Sequence, residues 1–469
     1  MQQEQTTYKG TNRLIIGIVF GVLTFWLFAQ SMVNIVPAIQ SDIGISSDLL
    51  NIAISLTALF SGIFIVVAGG LADKFGRMKL TYIGLVLSIL GSLLIVLAHG
   101  ATLLIIGRVI QGLSAACIMP ATLSLMKTYF DGKDRQRALS YWSIGSWGGS
   151  GFCSFVGGAI ATYMGWRWIF IISIIIALLG MLLIKGTPES KVAQTGNKGR
   201  FDTWGLVTFV IAMVCLNLVI TRGSTFGWTS PTTIIMILVF LISAFFFFRI
   251  ELRQTNGFIE FSLFKNMAYS GATLSNFLLN AAAGTLVVAN TYVQVGRGFT
   301  AFQSGLLTLG YVVCVLAMIR VGEKLLQKIG ARKPMIFGSL ITAIGIALMA
   351  MTFLPNLIYL IFVFIGYAFF GLGLGIYATP STDTAVSNSP EDKVGVASGI
   401  YKMASSLGGS FGVAISATVY GVIAASGNIE VAAMVGLLTN VAFCVLSLLA
   451  VIFMTPQTKK AVQTVQTNE

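Results

Sequence analysis

Any chemistry in this chain must reside in a few polar and ionisable residues set among apolar ones. Asp73, Lys74 and Arg77 crowd into one short turn between Gly69 and Leu80, punctuated by Gly69, Gly70 and Gly76. A basic, glycine-rich turn of this kind suits a topological anchor and a gate. Arg108 and Gln111 lie inside an apolar stretch, Leu104–Ala116, whose Gly107, Gly112, Ser114 and Ala115 let neighbouring backbones approach while the two polar side chains face an interior. Ionisable groups at membrane depth are costly and usually functional. Snorkelling to an interface is the alternative for Arg108, and its mid-span place argues for function. Asp383, just after Thr379-Pro380, is the acid nearest to a cavity-facing position, and Lys402 lies nearer a membrane edge. The remaining acids fall in loops or near the ends of apolar runs.

Aromatic and amide residues supply a candidate binding surface. Trp26, Gln30 and Asn34 fall in the first apolar run, Trp142 and Trp147 in the fifth, and Asn276, Asn280, Asn290 and Tyr292 in the ninth. Amphipathic aromatics hold bulky organic ligands through stacking and cation–π contact, although ordinary packing accounts for any one of them taken singly.

Enzyme chemistry finds little support. The chain lacks a G-x-x-x-x-G-K-[ST] phosphate loop, so ATP is not the energy source within it. His99 is its one histidine, and the five cysteines lie inside apolar runs without metal-ligand spacing. Gly371-Leu-Gly-Leu-Gly375 sits within a hydrophobic span and is not a dinucleotide loop. No metal and no cofactor are expected.

The elements that position these residues follow from composition. Of 469 residues, 56% are hydrophobic and 10% charged, against about 25% charged in soluble domains; mean hydropathy is +0.88. A chain of this kind is expected to be an all-α integral membrane protein. The runs at 49–68 and 80–98 on either side of the Gly69–Leu80 turn each reach the roughly 20 residues needed to cross a bilayer. The whole chain reads as fourteen such spans, the first near 14–36, the fifth near 138–163 and the ninth near 268–293.

The net charge of +13 does not point to nucleic acid, because its basic residues cluster in alternate connections. Lys74/Arg77/Lys79, Lys127/Lys133/Arg135/Arg137 and Lys324/Lys328/Arg332/Lys333 fall on one side, the pattern of cytoplasmic loops. Both termini are then cytoplasmic, with the N-terminal span retained rather than cleaved.

A repeat organises the chain. Leu325–Lys333 echoes Leu71–Lys79 with leucine, lysine, glycine and lysine in register, and Gln327 replaces Asp73. Ser146-Trp-Gly-Gly-Ser150 returns as Ser406-Leu-Gly-Gly-Ser410. Two echoes in the same order favour duplication over chance. The expected organisation is a six-helix bundle over 1–185, a linker with two extra spans over 186–267, a second six-helix bundle over 268–455 and a tail over 456–469.

At this point the chain resembles a known family. Gly69-x-Leu-Ala-Asp-Lys-x-Gly-Arg77 looks like the loop motif between the second and third helices of the major facilitator superfamily. Leu104-x-x-x-Arg-x-x-Gln-Gly-x-Ser-Ala-Ala116 looks like its fourth-helix motif. The fourteen spans, Gly165-Trp-Arg-Trp-Ile-Phe170 and Val396-Ala-Ser-Gly399 resemble its fourteen-helix drug:proton antiporter branch, and quinolone exporters within it.

The resemblance implies two bundles rocking about a central site, powered by the proton gradient. It implies that Asp73 latches the outward-facing state at the start of the thirteenth span, near Val394–Ser398, with the helix dipole favouring the carboxylate by about 0.3–1 kcal/mol. Arg77 would pair with Asp131 or Asp134, and Arg108 would take part in proton coupling. Two departures stand out: Cys153-Ser154 replace the Gly-Pro of the fifth-helix motif ahead of Gly157-Gly158, and Phe28–Asn34 carries no acid. Asp383 is then the candidate proton carrier.

The expected function is a proton-coupled exporter of amphipathic drugs in the bacterial plasma membrane, monomeric and in contact with lipid but not nucleic acid. The alternatives are a lipid or glycolipid flippase of the same fold and a non-transporting membrane sensor.

Overall fold

A computed structural model describes residues 8–29, 31–45, 47–149, 156–157, 159–161, 163–191, 203–253 and 261–456. Sixteen α-helices and no strand occur among them. The first half contains α1 (Asn12–Ala29), α2 (Ser31–Ile43), α3 (Ser47–Phe75), α4 (Arg77–Val96), α5 (Ala101–Tyr129), α6 (Gly132–Ser143) and α7 (Arg167–Ile184). A separate pair, α8 (Thr203–Phe226) and α9 (Pro231–Glu251), follows. The second half contains α10 (Met267–Ala281), α11 (Gly284–Thr291), α12 (Ala301–Ile329), α13 (Arg332–Met349), α14 (Asn356–Ser387), α15 (Val394–Ala424) and α16 (Ile429–Met454).

Among the described residues, eleven helical stretches are long and apolar enough to cross a membrane, and two shorter apolar ones cover Asn12–Leu27 and Trp204–Ile220. Large apolar side chains point outward from them, as contact with hydrocarbon requires. On α9, Leu238, Leu241, Ile242 and Phe245 are all more than half exposed.

Two spans differ from the sequence expectation. The run at 268–293 divides at Ala282–Ala283, where backbone bonds tighten to three-residue spacing (Ala282 N to Leu279 O 3.2 Å, Thr285 N to Ala282 O 3.0 Å). Helix α6 begins at Gly132, well before 138, and passes into a π-helical turn over Ile144–Gly148. Such turns recur at functional sites. The departure at Cys153-Ser154 and most of the 186–205 linker lie outside the described residues.

Helices α3 and α4 pack on α5, and α1 packs on α7; in the second half α12 and α13 pack on α14, and α10 packs on α15 and α16. Helices α8 and α9 pack on each other, with α8 also meeting α3 and α15. The halves meet along two seams: α15 lies against α3 and α5, and α6 lies against α12 and α14.

The repeat is visible in backbone detail. Gly76 (φ 122°) separates α3 from α4, and Gly330 (φ 77°) ends α12 at the matching place in the second copy. Those angles belong to the region glycine adopts without a Cβ penalty. Pro120 interrupts α5 and Pro380 interrupts α14. Around each proline the same hydroxyl-to-carbonyl bonds form. Thr122 and Thr382 hydroxyls donate to Ile118 O (2.6 Å) and Ala378 O (2.9 Å), and Ser124 and Thr384 hydroxyls donate to the carbonyls of the prolines themselves.

Candidate functional site

Helix α3 ends in the turn that carries Asp73, and α15 begins directly opposite. Asp73 is 6% exposed, and its carboxylate accepts bonds from Gly395 N–H (3.0 and 2.8 Å to its two oxygens) and Val396 N–H (3.2 Å). Those amides belong to the first turn of α15, where helix N–H groups have no intrahelical acceptor and the dipole favours a negative charge. Gly69 makes room for the approach: a Cβ there would lie 2.2 Å from Gly395 O. Lys74 stays at the surface, with its ammonium 5.7 Å from the Phe75 ring.

Arg77 corrects the expectation. Its guanidinium donates to Asp73 Oδ1 (Nε 3.1 Å, Nη2 2.9 Å), to the Thr128 hydroxyl and to Glu391 O (3.0 Å). Asp131 and Asp134 are exposed at the start of α6 and take no part. The reason is geometric: Gly76 breaks the helix, and Arg77 then folds back over Asp73 inside the seam. Glu189, which sequence reasoning passed over, completes this corner. Its carboxylate accepts from Met78 N–H (2.9 Å) and Lys79 N–H (2.8 Å), the free amides at the start of α4.

Asp383 also departs from expectation. It does not face the cavity; it is 5% exposed and accepts from Arg135 (3.3 Å) and Gln136 (3.5 Å) of α6. This bond crosses the second seam, and Lys127 adds another cross-bundle contact to Ser389 O. These ties all lie at the end of the molecule that carries the Gly69–Leu80 turn.

Arg108 is 1% exposed and lies within the first bundle. It donates to Ala53 O (3.3 Å) and Gln111 Oε1 (3.0 Å), Gln111 donates onward to the Ser92 hydroxyl (3.2 Å), and the Thr57 hydroxyl donates to Arg108 O (2.9 Å). The network joins α3, α4 and α5.

Between the bundles lies a cavity of about 630 Å³, within the size range of small-molecule sites. Trp26, Trp147, Asn280 and Asn290 are on its wall. Trp142, Asn276 and Tyr292 are not. Trp142 is fully buried and donates to Thr122; Asn276 donates to Tyr401 O (3.0 Å) and Ser405 (2.6 Å); Tyr292 donates to Thr352 O (3.3 Å). Each spends its polar group on neighbouring segments. Gln30 lies outside the described residues, as does the side chain of Asn34. The wall holds one charged side chain among the described residues, Lys402 of α15. Its depth is legible from the helix start: eight residues past Val394 is about 12 Å along the axis.

The major facilitator superfamily model matches residues 15–413, with a second match over 272–467. The chain belongs to this superfamily and is a multi-pass membrane transporter. It is 58% identical over 451 residues to the quinolone resistance protein NorB of Staphylococcus aureus strain MRSA252, covering 96% of this chain and 97% of that one. Identity to the same protein of strain COL is 58% over 450 residues, with the same coverage.

Among solved structures, the chain resembles the proton:xylose symporter XylE (TM-score 0.65, 17% identity, 95% and 96% of the two chains). It also resembles the human organic anion transporter MFSD10 (TM-score 0.63, 12% identity, 94% and 98%). At these identities the likeness concerns the fold.

Proposed function

We propose that this protein exports amphipathic, quinolone-type compounds across the bacterial plasma membrane in exchange for protons, by alternating access. The observation that carries the reading is the central cavity, placed between two pseudo-symmetric bundles and shut at one end by Asp73, Arg77 and Asp383. The extended identity to quinolone resistance proteins supports the substrate class.

On this reading the chain crosses the membrane fourteen times, with α1 and α2 sharing one crossing and α10 and α11 another. Both termini and the Gly69–Leu80 turn are cytoplasmic, so the state described is outward-facing. Residues 1–185 and 268–455 are the moving bundles, 186–267 carries the inserted pair and 456–469 is a cytoplasmic tail; one copy suffices for transport. Asp73 and Arg77 form the latch, with Gly69 permitting the contact. The Arg108–Gln111 network couples proton movement to rearrangement of the first bundle. Trp26, Trp147, Asn280 and Asn290 contact the drug, and no cofactor is required beyond the proton gradient.

The test is purified protein in liposomes with a trapped pH dye. Quinolone addition should release protons and a pH gradient should drive quinolone accumulation. Drug movement indifferent to the gradient would exclude exchange.

A further inference from the structure

We propose that Lys402 is the receptor for a carboxylate on the transported compound, so that the exporter selects amphipaths carrying an acid beside an aromatic ring system. The proposal rests on the exporter reading and names which chemical feature the cavity recognises.

The cavity wall contains no carboxylate among the described residues, and its one charge is the Lys402 ammonium. None of the ion pairs among those residues includes Lys402. Its partners are neutral: it donates to the Ser146 hydroxyl at 2.9 Å, and its nitrogen lies 5.2 Å from the centre of the Trp142 ring. An ammonium offers three donors, and a single hydroxyl with an indole face leaves it undersatisfied. A cation at membrane depth without an anion is costly, so an incoming carboxylate gains more here than it would in water.

The surroundings fit an aromatic acid. Trp26 and Trp147 line the same cavity, and indole rings stack against planar aromatic systems. Ser405, Ser406 and Gly409 continue the Lys402 face of α15 along the wall, leaving a narrow polar strip beside apolar surface.

The position also explains how occupancy would reach the seams. Residues 142 and 402 stand in the same repeat register as Pro120 and Pro380, and as Ser146 and Ser406. The repeat-related residues Trp142 and Lys402 therefore meet near the pseudo-twofold axis. The Lys402–Ser146 bond joins α15 to the π-turn of the other bundle. A carboxylate that draws the ammonium away from Ser146 loosens a cross-bundle contact at the cavity floor.

The experiment compares ciprofloxacin with its ethyl ester, measuring calorimetric binding to the full chain in lipid nanodiscs and uptake into inverted vesicles. The native protein should bind the acid at least tenfold more tightly than the ester. Lys402→Met should erase that preference, and Lys402→Arg should keep it. Lys402→Gln replaces the methionine variant if that one does not fold, with the same expected loss. Native protein without an acid preference, or a neutral variant that retains it, overturns the assignment while leaving the exporter reading intact. Native protein that binds and moves neither compound overturns the exporter reading and the assignment with it.

Discussion

Gly69 and Gly395 face each other across the seam between α3 and α15 so closely that a Cβ on either would lie 2.2 Å from the carbonyl oxygen of the other. Real Cβ atoms do not approach backbone that closely. The two glycines thus set the distance at which Asp73 can reach the amides of Gly395 and Val396, and this contact depends on residues without side chains as much as on charge. Gly395→Ala should therefore hold the bundles apart at this end. Cysteine probes placed in the cavity should become more reactive from the side of the Gly69–Leu80 turn, with export reduced at least tenfold. Unchanged accessibility would show that the seam can widen without cost.

Asp73→Asn removes the charge that two amides and Arg77 share. Breaking one partner of a buried ion pair costs about 3–5 kcal/mol, and even 3 kcal/mol shifts a two-state ratio roughly a hundredfold. The variant should populate the form open at the turn end. Double electron–electron resonance between spin labels on α4 and α13 would read the shift, and a distance distribution like that of the native protein would remove Asp73 from the latch.

Arg135 and Asp383 form the corresponding tie across the second seam, at 3.3 Å. A double-mutant cycle on Arg135→Ala and Asp383→Ala should give a coupling of about 0.5–3 kcal/mol, read as the shift in thermal unfolding or in the open-to-closed ratio. Additive single effects would mean that the pair contributes nothing beyond packing.

Glu189 caps the start of α4 and pins the segment after α7 to the Gly69–Leu80 turn. Glu189→Ala should cost about 1 kcal/mol and free that segment. Limited trypsin digestion after Lys185 and Lys191 should accelerate several-fold, with transport less affected than in the Asp73 variant. Digestion at the native rate would mean that other contacts hold the segment.

Arg108 lies wholly within the first bundle, bonded to Ala53 O and Gln111. Arg108→Ala should abolish proton-driven accumulation in inverted vesicles while leaving drug binding within about threefold of native. Accumulation under a pH gradient at native rate would place coupling elsewhere.

The sequence by itself determined the class, the internal echo and the break within Gly69–Leu80, because each is written in local terms. Apolar run length, alternation of basic loops and the register of Gly76 with Gly330 need no knowledge of which helices meet. The membrane makes this legible, since every span must satisfy its backbone internally and only length and polarity then matter. Only the tertiary structure decided partners. Asp131 lies in the next basic loop and Asp73 only four residues back, and which of them Arg77 meets depends on the break at Gly76, which turns it into the seam over Asp73. Asp383 looked cavity-facing from its place after Pro380, yet Arg135 of the other half claims it. Trp142 and Lys402 are 260 residues apart, so nothing local in the chain tells that one is sealed in packing and the other is the lone charge on the cavity wall among the described residues. Which face of each helix meets the opposite bundle depends on crossings set by small residues such as Gly69 and Gly395, and those crossings exist only once both halves have folded.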